Sequence, residues 1–104
     1  MQESIALTEA VFYILLSLTE PMHGYGIMQN VSKLSNGRVN LAAGTLYGAL
    51  NTLLEKGWIR LQPSDEGMRK KEYELTAFGR VAIEQETGRL KELLDNALKI
   101  LGEC

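Results

Sequence analysis

Residues 42–59 read AAGTLYGALNTLLEKGWI. Leu46, Leu50 and Leu53 recur at helical spacing, and Gly57 is a stop signal. The other side of this helix carries Thr45, Gly48, Asn51 and Thr52, with Tyr47 beside them. A solvent face ordinarily carries Lys and Glu, yet no acidic residue occurs between Ala42 and Leu54. A small, uncharged, hydrogen-bonding face suits a helix that enters a groove about 12 Å wide and meets phosphates and base edges. Gly48 and Ala49 allow close approach, and Thr45, Asn51 and Thr52 offer donors and acceptors. The free N–H groups and dipole at the helix start favour a phosphate. Close packing against another helix explains the same small residues, so the flanking sequence has to decide.

Upstream, Ile27, Val31 and Leu34 predict a helix from Gly24 to Leu34, followed by a turn at Ser35–Gly37 and a short extended piece in RVNL. Before it, Thr8 caps a first helix that runs to Leu18, with Glu9 in its first turn. That helix is apolar nearly all round (Val11, Phe12, Ile14, Leu15, Leu16, Leu18), which places it in a core or between two chains. Downstream, the period changes to two. WIRLQ puts Ile59 and Leu61 on one face, RKKEYEL alternates again, and PSDEGM is the turn between them, giving a β-hairpin. Thr76 caps a long last helix to Leu101, whose apolar positions are Ile83, Leu90, Leu93, Leu94, Ala97, Ile100 and Leu101. These resemble a short coiled-coil seam, interrupted at Glu86 and weakened at Gly88.

Three helices, a two-stranded hairpin and a long helix, in that order, predict a mainly α winged helix-turn-helix. Residues 1–76 form the DNA-binding domain, with the first helix contributing to the dimer, and residues 77–104 form a dimerisation helix. Arg69, Lys70 and Lys71 fall near the hairpin tip, within reach of phosphates. The segments HGYGIMQ, GTLYGALNTLLEKGWI and RKKEYELTAFGR resemble the signature segments of the PadR family of bacterial transcriptional regulators, from about Ala6 to Leu101. The resemblance implies a winged-helix homodimer that binds double-stranded operator DNA, usually as a repressor. It implies DNA contacts at Thr45, Leu46 and Tyr47 and at Arg69, Lys70 and Lys71, with Tyr25 near the DNA backbone. The first helix, through Val11 and Leu15, would join the last in the dimer. Many members carry Pro where this chain has Ala43 or Gly48. Members of this size often sense a small hydrophobic or phenolic effector.

Composition fits this expectation. The 104 residues make one domain with net charge −2. Eight basic and five acidic residues lie between Lys33 and Arg80, so the middle is basic while the ends are acidic. The run from Ala10 to Leu16 is too short to span a bilayer, MQESIAL lacks a basic signal region, and the lone Cys104 builds no disulfide framework. These point to the cytoplasm. His23 is the single histidine and has no partners for a metal site or a nucleophile triad; it orders the helix entry at HGYG. No phosphate-binding loop occurs, so neither enzyme nor cofactor is expected. The rivals are a winged-helix ligand- or protein-binding module without DNA affinity and a purely structural dimerisation domain.

Overall fold

A computed structural model describes residues 6–62 and 71–102. The elements are α1 (Glu9–Ser17), β1 (Met22–His23), α2 (Gly24–Leu34), α3 (Ala43–Lys56), β2 (Ile59–Gln62), β3 (Glu72–Leu75) and α4 (Ala77–Leu101). The helix ends carry the expected local chemistry. Thr8 Oγ1 accepts the Val11 N–H at 3.1 Å, and Thr76 Oγ1 accepts the Gly79 N–H at 3.1 Å. Gly57 closes α3 in the left-handed conformation at φ 76°. His23 caps α2 by accepting the Gly26 N–H on Nδ1 at 3.2 Å, so it orders the helix entry.

Leu46, Leu50 and Leu53 of α3 meet Ile14, Leu15 and Leu18 at α1, Ile27 and Val31 of α2, Ile59 and Tyr73 of the sheet, and Ile83 of α4. Buried apolar surface of this kind is the main stabilising contribution. A polar link crosses between α1 and α2, where Asn30 donates to Ser17 Oγ at 2.8 Å and Ser17 donates to the Tyr13 carbonyl. Arg38, beyond α2, pairs with Glu9 at the start of α1.

The structure departs from the sequence expectations in several places. The wing is a three-stranded antiparallel sheet ordered β1-β3-β2, because Met22 pairs with Tyr73 and His23 with Glu72. RVNL forms no strand. Leu15 and Ile83, expected at a dimer interface, belong to the protomer's own core.

Glu86 is buried. It accepts two bonds from Arg89, at 2.7 and 2.6 Å, and the Leu7 N–H at 3.1 Å, tying the segment before α1 to α4. The Arg89 hydrogen bonds hold its carboxyl below the ordinary value of 4.5 against the opposing effect of burial. A lowered folded value means the stabilisation is full above pH 4.5 and is lost as pH falls below it through that value. Glu86→Gln should lower the melting temperature by about 5 °C at neutral pH and flatten the acid decline in stability. Melting curves at pH 7 and pH 4 check both.

The radius of gyration is 15.4 Å, against about 13 Å for a compact chain of this length. α4 is long, its 25 residues extending about 37 Å, and its second half is exposed throughout, so that it leaves the body of the protomer.

Candidate nucleic-acid interface

Thr45, Gly48, Asn51 and Thr52 are exposed on the side of α3 away from the core. Ala42, the N-cap, makes no side-chain cap bond, so the first N–H groups of α3 receive no side-chain partner from it. Gly44 and Gly48 lie on the same helix, and among the described residues a Cβ built at either meets nothing within 4 Å beyond its chain neighbours and the helix's own backbone. Glycine inside a helix costs about 1 kcal/mol relative to alanine. The protomer's own packing gives no return for that cost at either position. An open, uncharged surface bounded by hydroxyls and an amide is suited to receive another molecule's backbone.

Gly48→Ala therefore has opposite expected effects on fold and function. The melting temperature should rise by roughly 4 °C, as helix propensity improves without a clash. DNA affinity should fall about tenfold, because overpacking a close contact costs about 1–3 kcal/mol. Thermal melting and fluorescence anisotropy read the two effects separately.

The structure gathers some of the expected contact residues and separates others. Tyr25, at the start of α2, is exposed, and Tyr47 is 43% exposed on the first turns of α3. The phenol of Tyr47 covers Gly24, the residue next to Tyr25. Lys71 is exposed beside β3. Arg69 and Lys70 lie outside the described residues. Leu46 is corrected: it is fully buried in the core, so its side chain cannot reach DNA. Its i, i+4 spacing to Leu50 already carried that answer. Thr52 Oγ1 donates back to the Gly48 carbonyl at 3.2 Å, leaving it an acceptor for outside donors.

The root of the wing holds two further cations. Arg60 of β2 pairs with Glu74 of β3 at 2.6 Å across the register, so this cation is partly committed within the wing. Lys56, in the last turn of α3, sits 5.3 Å from the Trp58 ring centroid, a cation–π geometry. Burial raises the pKa of the Tyr73 hydroxyl, with a further push from nearby Tyr47.

The sequence matches the Transcriptional regulator PadR-like family over residues 12–85. The chain belongs to that family. This PadR-like chain is therefore a DNA-binding transcriptional regulator rather than an enzyme. Among curated proteins there is no match to the sequence. Solved structures do match. A PadR family transcriptional regulator from Eggerthella lenta is 25% identical, with TM-score 0.71 over 88% of this chain and 80% of that one. A PadR-like transcription factor from Bacteroides fragilis is 28% identical, with TM-score 0.68 over 88% and 87%. Bordetella bronchiseptica BpsR, whose DNA binding is regulated by 6-hydroxynicotinic acid, is 18% identical with TM-score 0.69 over 93% and 71%; at that identity the likeness is one of fold.

The matched span includes α2, α3 and the wing strands and stops inside α4. The apolar residues of α4 from Leu90 to Leu101 lie beyond it. No helix among the described residues is long and apolar enough to cross a membrane.

Proposed function

We propose that this regulator is a cytoplasmic repressor that binds an inverted-repeat operator as a homodimer. Each protomer lays α3 in a major groove through Thr45 and Asn51. The wing, with Arg69, Lys70 and Lys71, holds the adjacent phosphates. The observation that carries this reading is the open face of α3, where a Cβ at Gly44 or Gly48 would meet no described residue beyond the helix's own backbone. Two-fold symmetry sets the half-sites about 34 Å apart, one turn of the duplex. The homodimer reading rests on α4, where Leu90, Leu93, Leu94, Ala97, Ile100 and Leu101 are exposed. Val11 is only partly buried on α1, which leaves it accessible to a second copy.

Release of the operator by a small hydrophobic effector is part of the proposal. A cleft of about 270 Å³ lies between the segment before α1 and the second half of α3, walled by Leu7, Val11, Ala49, Leu53 and Trp58. Its position against the recognition helix would let an occupant alter DNA affinity. Regulation of BpsR by a small aromatic acid gives a precedent on the same fold.

Fluorescence anisotropy with the DNA upstream of the protein's own gene, beside a scrambled duplex, tests the reading. The native fragment should bind at least tenfold tighter than the scramble, and affinity should fall steeply with salt as counterions are released. Lys70→Ala with Lys71→Ala should weaken both duplexes and reduce the salt slope by about one per lost phosphate contact. Equal, feeble binding to both duplexes at every salt concentration would favour a ligand- or protein-binding module instead.

A further inference from the structure

We propose that Tyr47 is a positioning residue: its phenol rests on the bare Cα of Gly24 and sets the tilt of the recognition helix against α2 and the wing. This inference rests on the DNA-binding reading above and assigns Tyr47 a different task from touching DNA.

The geometry is specific. A Cβ added at Gly24 would lie 2.2 Å from Tyr47 Oη, 2.8 Å from Cζ and 3.3 Å from Cε1. The outer edge of the ring therefore occupies the space that any other residue at position 24 would fill. Gly24 is buried although it opens a helix, and Tyr47 is what covers it. The contact joins the first turn of α2 to the second turn of α3, the two helices that define the reading head. Gly24 directly follows β1, whose Met22 pairs with Tyr73 of β3, and Tyr73 pairs in turn with Leu61 of β2. One side chain thus touches the recognition helix and α2, and lies beside the root of the wing. A helix tilted by a few degrees displaces its exposed end by ångströms, and displacement of about 1 Å is enough to spoil a set of directed polar contacts.

A double-mutant cycle tests the clasp, with Gly24→Ala and Tyr47→Leu as the two changes. Tyr47→Phe is a third variant that keeps the ring and removes the hydroxyl. Binding is read on the upstream fragment and on the scrambled duplex at two salt concentrations, and each variant is melted. Gly24→Ala should weaken binding to the native fragment about tenfold, affect the scramble little and leave the salt slope unchanged. In the Tyr47→Leu background the same alanine should change affinity less than about twofold, because the phenol it displaces is gone. Tyr47→Phe should stay within about twofold of wild type. Two results would overturn the proposal. One is an equal loss from Gly24→Ala in both backgrounds. The other is a Tyr47→Phe loss as large as that of Tyr47→Leu with a lower salt slope, which marks a direct phosphate contact. The melting data separate the clasp from the DNA reading. If the wild-type protein binds no duplex, that reading fails. The clasp then stands only if Gly24→Ala lowers the melting temperature by about 5 °C with Tyr47 present and not with Leu there.

Discussion

Leu94→Glu is expected to turn the protein into a monomer and to reduce operator affinity by at least about a hundredfold. On the helical period, Ile83, Leu90, Leu94, Ala97 and Leu101 share one stripe of α4. Along that stripe exposure rises from 4% at Ile83 to 56% at Leu94 and 72% at Leu101. The face that packs into the protomer's core in the first half of the helix thus continues, exposed, into the second half. Leu94 is already solvated in the single protomer, so a charge there should alter protomer stability by no more than about 0.5 kcal/mol. In a dimer each copy would lose about 1.5–3 kcal/mol of leucine burial and would also bury an unpaired carboxylate. Over two copies that is roughly a thousandfold or more in dimer dissociation. A monomer presents one reading head, and losing linked binding removes about 10²–10⁴ in affinity. Light scattering behind size exclusion gives the mass and anisotropy gives the affinity. A Leu94→Glu protein that remains dimeric would place the interface elsewhere.

The same stripe marks how far the sequence could be read. Helix ends were legible because their signals are local: Thr8, Thr76 and Gly57 act within a few residues of themselves. An apolar pattern says that a residue is buried but not by which chain, so Leu15 on the all-apolar first helix and Ile83 in the seam of the last both fell to the wrong partner. Leu46 was misplaced for a different reason. Taken as one block, GTLY made Leu46 a DNA contact, although α3 turns that side chain to the core while Thr45 and Tyr47 face out. Strand β1 has two residues, too few for a period of two to appear, and it exists through pairing with β3 fifty residues away. Glu86 looked like a flaw in an apolar seam. Its meaning depends on the Leu7 N–H, 79 residues distant, a relation that no local pattern encodes.

Gly79→Ala should be the most damaging small substitution in the chain, lowering stability by about 2–4 kcal/mol and the melting temperature by roughly 10–20 °C. Helix propensity alone predicts the opposite, a gain of about 1 kcal/mol. Packing decides the sign. A Cβ at Gly79 would lie 2.0 Å from the Trp58 carbonyl oxygen and 2.9 Å from Leu75 Cδ1. Leucine can turn aside, but the Trp58 carbonyl cannot, because it accepts the Thr76 N–H at 2.9 Å. Thr76 Oγ1 in turn donates to the Gly57 carbonyl at 2.6 Å while accepting the Gly79 N–H, so the first turn of α4 and the root of β2 are interlocked. Relief would have to come from moving α4 as a body and breaking these bonds. Gly88→Ala is the matched control, since a Cβ there meets nothing within 4 Å in the protomer, and it should melt at or above the wild-type temperature. If Gly79→Ala melts like Gly88→Ala, then α4 does not seat on β2 as described. If it melts far lower, the bare Cα of Gly79 fixes the direction in which α4 leaves the wing. In a two-headed reader, that direction sets the spacing of the recognition helices.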